Sequence, residues 1–292
     1  METTFVAKEW LIDDPIATLT KIRVQLEDEQ FAGSYVVLFR KRLAITNVYA
    51  SNKLERTLPA AISEHDTYML LEASYDASAD DEDAAPGADW NAEGEEDPTA
   101  RNGAKKTAVQ LLQHLRALKF LMQQVDMPLS AEIILKAHEV LMAGALDDDG
   151  TSIKNGVLRD HPCHAGTHVY PEGNPAALLA SLRRIIDEYN VSARASPSLV
   201  LPATRLFYDV ITLHPFQNGN GRMCRLLFAF GIMQSGVPFP VALTTGHSNA
   251  RKHYMKAIML ARRGDMRELA TMALMSVEYT VANFLENLRL VA

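Results

Sequence analysis

The sequence predicts an all-α fold. Apolar residues recur at three- to four-residue spacing in 105–124, the mark of an amphipathic helix. Ser130 stands just before another such run, where a helix needs its N-cap. Extended-looking pieces, apart from 34–39, fall within one stretch, 150–173.

Residues 14–26 and 47–71 have helical spacing, and 34–39 between them read either as a short strand or as a buried helical turn. Residues 76–98 are rich in Asp, Glu and Ala and contain no Lys or Arg. Such a segment repels itself and buries too little apolar surface to offset the entropy of ordering, so a mobile acidic loop is expected, with Trp90 as the centre of any partner contact. In 105–124 the stripe is Val109, Leu112, Leu115, Leu118 and Leu121 or Met122; after Ser130 it is Ile133, Ile134, Ala137, Val140 and Leu141, ending near Gly144. Residues 150–173 are rich in Gly, Pro, His and Asp. They read as an irregular loop with a small hairpin or flap, with Val157-Leu158 and His168-Val169-Tyr170 as its extended pieces. Helical patterns resume over 175–189, 199–213, 221–233, 249–261 and 266–290.

The chain has 292 residues, 48% hydrophobic, with a net charge of -7. That length supports one or two globular domains, and the acidic balance argues against a nonspecific nucleic-acid binder, which needs a basic stripe. Cys163 and Cys224 do not make a disulfide scaffold and suit a reducing compartment. No apolar run is long enough to span a bilayer, so no membrane insertion is expected, and residues 1–10 lack the order of a signal peptide. A cytoplasmic location is expected, with the nucleus or delivery into another cell as open alternatives.

The densest chemistry lies at His214-Pro215-Phe216-Gln217-Asn218-Gly219-Asn220-Gly221-Arg222-Met223-Cys224-Arg225. The apolar helix before His214 breaks into a glycine-rich turn, and a new helix starts behind it. Backbone N–H groups at such a helix start, with the positive end of its dipole, favour a bound phosphate. Arg222 and Arg225 are three apart, share one face, and can clamp phosphate oxygens with charge-assisted bonds. His214 reads either as a cap on the preceding carbonyls or as a base near neutral pH, and the phosphate features beside it favour the base. Phe216 and Cys224 read as core residues. The combination points to chemistry on a nucleotide.

These residues resemble the signature of the Fic (filamentation induced by cAMP) family, His-x-Phe-x-Asp/Glu-Gly-Asn-Gly-Arg-x-x-Arg, and depart from it at Asn218. The resemblance extends more weakly over about 131–259. It implies a Fic-type helical core with a small β-hairpin flap and an N-terminal helical extension, divided as a regulatory region, 1–125, and a catalytic domain, 126–292. The implied activity is transfer of AMP from ATP to a Ser, Thr or Tyr hydroxyl of a target protein. His214 would be the base; Gly219, Asn220 and Gly221 the anion cradle; Arg222 a phosphate contact; and Arg225 the γ-phosphate clamp. Asn249 and Tyr254 would lie near the nucleotide base. Val157, Leu158, His168, Val169 and Tyr170 would form the target flap. In the family an acidic residue at position 218 holds Mg²⁺; Asn218 keeps an oxygen but loses the charge, so weaker metal binding is expected. Ser51 and Glu55 resemble the family's inhibitory motif, Ser/Thr-x-x-x-Glu-Gly/Asn, with Arg56 departing from its last position. There Glu55 would pair with Arg225. The expected partners are ATP and a protein substrate, and oligomeric state is open, with a homodimer among the candidates.

Overall fold

The computed structural model describes residues 32–55, 63–76, 98–146, 151–166, 168–196, 199–244 and 249–291. Nine helices occur among them: α1 (Ala32–Glu55), α2 (Glu64–Tyr75), α3 (Pro98–Met122), α4 (Ala131–Leu141), α5 (Pro175–Ala195), α6 (Val200–Leu213), α7 (Asn220–Met233), α8 (Ala250–Arg262) and α9 (Arg267–Val291). The all-α expectation holds, with a single two-stranded sheet of β1 (Cys163–Ala165) and β2 (His168–Tyr170) between α4 and α5.

The helix over 14–26 and nearly all of the acidic loop lie outside the described residues. Residues 34–39 are helical, as part of α1. Phe39 is buried, whereas Val37 and Leu38 face outward. The helix expected over 47–71 is two helices. Its first half belongs to α1, and α2 starts afresh behind Ser63, whose hydroxyl accepts the Asp66 N–H while Asp66 accepts the Ser63 N–H. That reciprocal pair is a capping box, and Pro59, within the intervening sequence, cannot continue a helix interior. Ser130 caps α4 as expected, its hydroxyl accepting the Ile133 N–H.

Every residue of α7 from Arg222 to Met233 is buried. Beyond Arg225 this helix is apolar on all sides and must be surrounded, and α7 is, by α1, α3, α4 and α6. The approach to α6 is close. A Cβ added at Gly231 would lie 2.7 Å from the Ala203 Cβ and 3.1 Å from the Tyr189 hydroxyl oxygen, so the two backbones meet where no side chain intervenes. At the far end Phe39, Phe239 and Phe284 pack with ring centroids 5.0–5.1 Å apart, joining α1 to α9 and the loop after α7. Aromatic contacts of this kind add about 0.5–1.5 kcal/mol beyond the area buried. One hydrophobic cluster thus runs from α1 through α7 to α9.

The hairpin is antiparallel, with Cys163 opposite Tyr170, His164 opposite Val169 and Ala165 opposite His168. Val157 and Leu158 are not part of it, contrary to the expectation that they form an extended edge. Gly156 takes φ 69°, a turn conformation, and its N–H donates to the His138 Nδ1, while the Arg159 N–H donates to the Pro215 carbonyl. These backbone donors on either side are committed to α4 and to the loop after α6, so the dipeptide follows a bend.

The Gly231 contact is directly testable. Gly231→Ala is expected to destabilise the protein by about 1–3 kcal/mol through overpacking, and adding Ala203→Gly is expected to recover part of that loss. Denaturant midpoints of the parent, both single variants and the double variant measure this. Equal midpoints for the parent and Gly231→Ala would contradict the close approach.

Candidate active site

His214 ends α6 with φ 52° and ψ 58°, the only positive φ at a non-glycine among the described residues. Left-handed backbone at a non-glycine costs on the order of 1–3 kcal/mol and persists only where its surroundings impose it. Three bonds do so here. The His214 N–H donates to the Val210 carbonyl at 2.9 Å, Arg159 Nε donates to the His214 carbonyl at 2.7 Å, and the Arg159 N–H donates to the Pro215 carbonyl at 3.0 Å. The imidazole Nδ1 lies 3.4 Å from the Ile211 carbonyl. A carbonyl only accepts, so Nδ1 carries the proton and Nε2 keeps its lone pair. Burial lowers the imidazole pKa to about 4; the Ile211 carbonyl and Glu55 oppose that shift, and Arg159 and Arg262 add to it. The ring is therefore neutral at pH 7 and able to accept a proton.

The turn after His214 is held by side chains that the motif alone does not explain. Asn220 Oδ1 accepts the Phe216 N–H at 3.0 Å and its Nδ2 donates to the Phe216 carbonyl at 2.8 Å, closing the loop on itself. Asn220 thus acts as a staple, while Gly219 and Gly221 supply the open backbone at the start of α7. Phe216 is wholly buried and stacks on His138 with centroids 3.7 Å apart and planes within 5°. His138 Nε2 donates to the Asn218 carbonyl at 3.0 Å, and its Nδ1 accepts the Gly156 N–H at 3.0 Å. Burial lowers its pKa to about 4, which keeps that tautomer in place. Gly219 takes φ 75°, and a Cβ there would lie 2.6 Å from the Met142 sulfur. Asn218 is exposed, and its Oδ1 accepts the Gly219 N–H at 2.7 Å.

Arg225 is the most heavily bonded side chain of the site. Its Nε donates to Ser51 Oγ at 2.7 Å, Nη1 to the Tyr254 hydroxyl at 3.1 Å, and Nη2 to both the Ser51 carbonyl at 3.1 Å and Glu55 Oε1 at 2.7 Å. The Arg225 side chain is 3% exposed and that of Glu55 37%, so the pair is closed from inside and open from outside. Burial pushes the Glu55 carboxyl up, but Arg225, Arg222 and Arg251 outweigh it and hold the group below the usual carboxylate range. Glu55 also lies against the first turn of α7, where a Cβ on Gly221 would overlap Oε1. A carboxylate thus occupies the anion-favouring end of a helix. Arg222 is buried; Nη2 meets the Met142 sulfur at 3.4 Å and Nη1 has no partner. A buried donor without an acceptor is costly, and an anion at the mouth of α7 would satisfy it.

Two residues fix the segment from Ser51 to Glu55 from behind. Asn52 Nδ2 lies 2.9 Å from the Nδ1 of the fully buried His114 on α3. Arg251 Nε donates to the Leu54 carbonyl at 3.0 Å, tying α8 to the last turn of α1.

The remaining sequence-derived residues divide. Tyr254 is 5% exposed; its hydroxyl accepts from Arg225 Nη1, and burial raises that hydroxyl's pKa to about 12. Asn249 is exposed at the start of α8 and makes no side-chain capping bond. In the hairpin Val169 faces outward, His168 is half-buried, and Tyr170 turns inward to stack on His214. Val157 is exposed and, with Leu158, Leu135 and Leu179, lines an open groove outside the hairpin.

A divalent cation finds little from the protein here. Among the described residues no group of three or more His, Cys, Asp or Glu could hold one, and the Asn218 oxygen already accepts the Gly219 N–H. No helix of the described residues is long and apolar enough to cross a membrane.

Comparison with known proteins places this geometry. The Fic/DOC family model matches residues 128–230. A Fido domain-containing protein of Dictyostelium discoideum is 30% identical over 148 residues, which span 48% of this chain and 99% of that protein. The chain belongs to the Fic family. It is also 33% identical over 115 residues to the protein adenylyltransferase Fic of Drosophila willistoni, covering 39% of this chain and only 22% of that protein. A Fic domain-containing signaling protein from Bacteroides thetaiotaomicron shares the fold with a TM-score of 0.69 at 19% identity, over 93% of this chain and 95% of that one. The Fic motif was legible as a contiguous string. His138, Arg251 and His114 carry no such signature, and Arg159 stands out only as part of the segment 156–159 that resembles the family's flap. The available signal was a histidine within the buried stripe of α4 and another within that of α3.

The depressed histidines set a pH dependence. Unfolded histidines take protons near pH 6.5, whereas folded His138 and His214 resist them down to about 4. The unfolded state therefore binds more protons between these values, so stability is full above about 6.5 and falls as pH drops toward 4. Asp160 and Asp265, held at about 2, act only at lower pH. Urea midpoints at pH 7, 6 and 5 should decline, less steeply in His214→Asn. A flat profile would contradict the neutral, buried assignment.

Proposed function

We propose that this chain is a protein adenylyltransferase, transferring AMP from ATP to a Ser, Thr or Tyr hydroxyl of a target protein, with Glu55 restraining the reaction. The observation that carries the reading is Arg225, a buried guanidinium at the mouth of a glycine-flanked helix, bonded on its open side to Glu55. The adenylyltransferase names of relatives at about 30% identity support the reaction class.

In this reaction the target oxygen attacks the α-phosphorus. The new O–Pα bond forms as the bond to the β-phosphate breaks, pyrophosphate leaves, and the hydroxyl proton passes to His214 Nε2. His214 is neutral and tautomerically poised for that role. The free Nη1 of Arg222 and the N–H groups at the start of α7 would meet phosphate oxygens, and Arg225 would meet the terminal phosphate once Glu55 gives way. While Glu55 holds Arg225, ATP lacks that clamp and its α-phosphorus is not presented for transfer. The outward Val169 edge of the hairpin is where an extended target segment would add backbone bonds.

Asn218 favours a second reading, in which the site binds nucleotide with little transfer, or removes AMP from a modified target by hydrolysis. Its neutral oxygen, engaged with Gly219, gives a cation less than a carboxylate would.

Intact mass and label from α-³²P-ATP on candidate targets test the proposal. Glu55→Gly is expected to raise transfer above the parent, Arg225→Ala to be inactive with or without Glu55, and His214→Ala to lose about 10²–10⁴-fold while keeping nucleotide affinity. An unlabelled target with Glu55→Gly, together with normal ATP binding, would favour the binding module. Asn218→Asp is expected to sharpen the Mg²⁺ dependence of the rate; an unchanged dependence would show that position 218 does not meet the cation.

A further inference from the structure

Strand β2 ends on Tyr170, whose side chain is 3% exposed. Its ring lies against the His214 imidazole with centroids 4.1 Å apart and planes within 17°. Its hydroxyl accepts a hydrogen bond from Arg262 Nη2, and the Arg262 guanidinium carbon stands 5.7 Å from the ring centroid. His168 meets the same ring edge-on at 4.6 Å. Proton acceptance by His214 does not itself require a phenol at this place, still less one tethered to a cation from the last residue of α8.

We propose that Tyr170 and Arg262 form a positioning pair for His214, the stacked phenol fixing the plane of the imidazole and shielding one of its faces from water, and the guanidinium holding the phenol there. The inference rests on the reading of His214 as a base. A base must aim its lone pair at the incoming O–H, and misplacement by about 1 Å can cost on the order of 10²-fold in rate. The imidazole's own bond to Ile211, at 3.4 Å, is too long to lock ring rotation; the stack supplies what that bond lacks. Arg262 from α8 and Arg159 from the segment before β1 face His214 and oppose its protonation, whereas Glu55 from α1 favours it. Cys163 lies opposite Tyr170 across the hairpin, and Cys163 and Cys224 both act to raise the Tyr170 pKa. Removing Arg262 therefore takes away one opposing charge together with the tether. Removing the ring admits water. Both changes move His214 toward an ordinary histidine.

The test is NMR of the full chain with isotope-labelled histidine, the His214 signal being assigned by its loss in His214→Asn. It needs neither nucleotide nor target. In the parent, the His214 ring protons are expected upfield, in the ring current of Tyr170, with a titration midpoint below the ordinary 6.5 or so. Tyr170→Phe is expected to keep an upfield shift but a weaker one, since the ring remains while its hydroxyl tether to Arg262 is lost. Tyr170→Leu is expected to abolish it and raise the midpoint, and Arg262→Gln to raise the midpoint and weaken the shift. An unchanged His214 shift and midpoint in a folded Tyr170→Leu would overturn the pairing. Should that variant not fold, an unchanged midpoint in Arg262→Gln would overturn it instead. In transfer assays Tyr170→Leu is expected to lower kcat about 10²-fold with KM for ATP unchanged, and an unchanged kcat would likewise overturn the pairing. No transfer in any form, with the NMR changes as expected, would count against the adenylyltransferase reading while supporting the pair.

Discussion

The bonds around Arg225 organise this molecule. A guanidinium with 3% of its side chain exposed must be met by acceptors, because an unpaired buried charge is among the costliest defects a fold can carry. The acceptors come from two distant parts of the chain. Ser51 and Glu55 arrive on α1, and Tyr254 arrives on α8. The requirement to satisfy one arginine thus draws α1 and α8 onto the mouth of α7. The neighbouring contacts follow from it: Arg251 fixes the end of α1, Asn52 reaches His114, and Gly221 must lack a side chain because the Glu55 carboxylate lies where its Cβ would be. Ser51 approaches from the buried side, whereas Glu55 approaches from the open side. An incoming anion therefore meets Glu55 first.

A second set of contacts fixes the loop between α6 and α7. Arg159 holds the strained backbone of His214, Asn220 closes the turn on Phe216, and His138 stacks on Phe216 while bonding both Asn218 and Gly156. The loop from His214 to Gly219 and the segment leading into the hairpin therefore share one anchor on α4. Displacing either strains the other, and this is how the site keeps a left-handed histidine without a glycine.

The sequence exposed whatever is local. The motif from His214 to Arg225 sets glycines, arginines and histidine at a helix break by their spacing alone, and the structure puts them there. The heptad-like stripes of α3 and α4 and the Ser130 cap were equally readable. Contacts across the chain were less so. The Glu55–Arg225 pair was reached only through a family resemblance, since nothing local ties residues so far apart in sequence. Val157-Leu158 reads as an extended piece, an apolar pair in a stretch rich in Gly and Pro, but strand formation depends on context, and the backbone donors around this pair belong to other partners. The break between α1 and α2 had a signal in Pro59 and in the Ser63–Asp66 box that the apolar spacing on either side obscured. Tyr170, expected as part of the flap, stacks on His214, a contact between distant parts of the chain that no local pattern announces.

Whether Glu55 and a terminal phosphate share Arg225 is decided most directly by calorimetric titration of ATP and AMP into the parent and Glu55→Gln. Competition predicts that the substitution tightens ATP binding and leaves AMP binding unchanged, because only ATP carries the phosphate that would replace the carboxylate. Equal ATP affinities in the two proteins, or an equal gain for AMP, would contradict it.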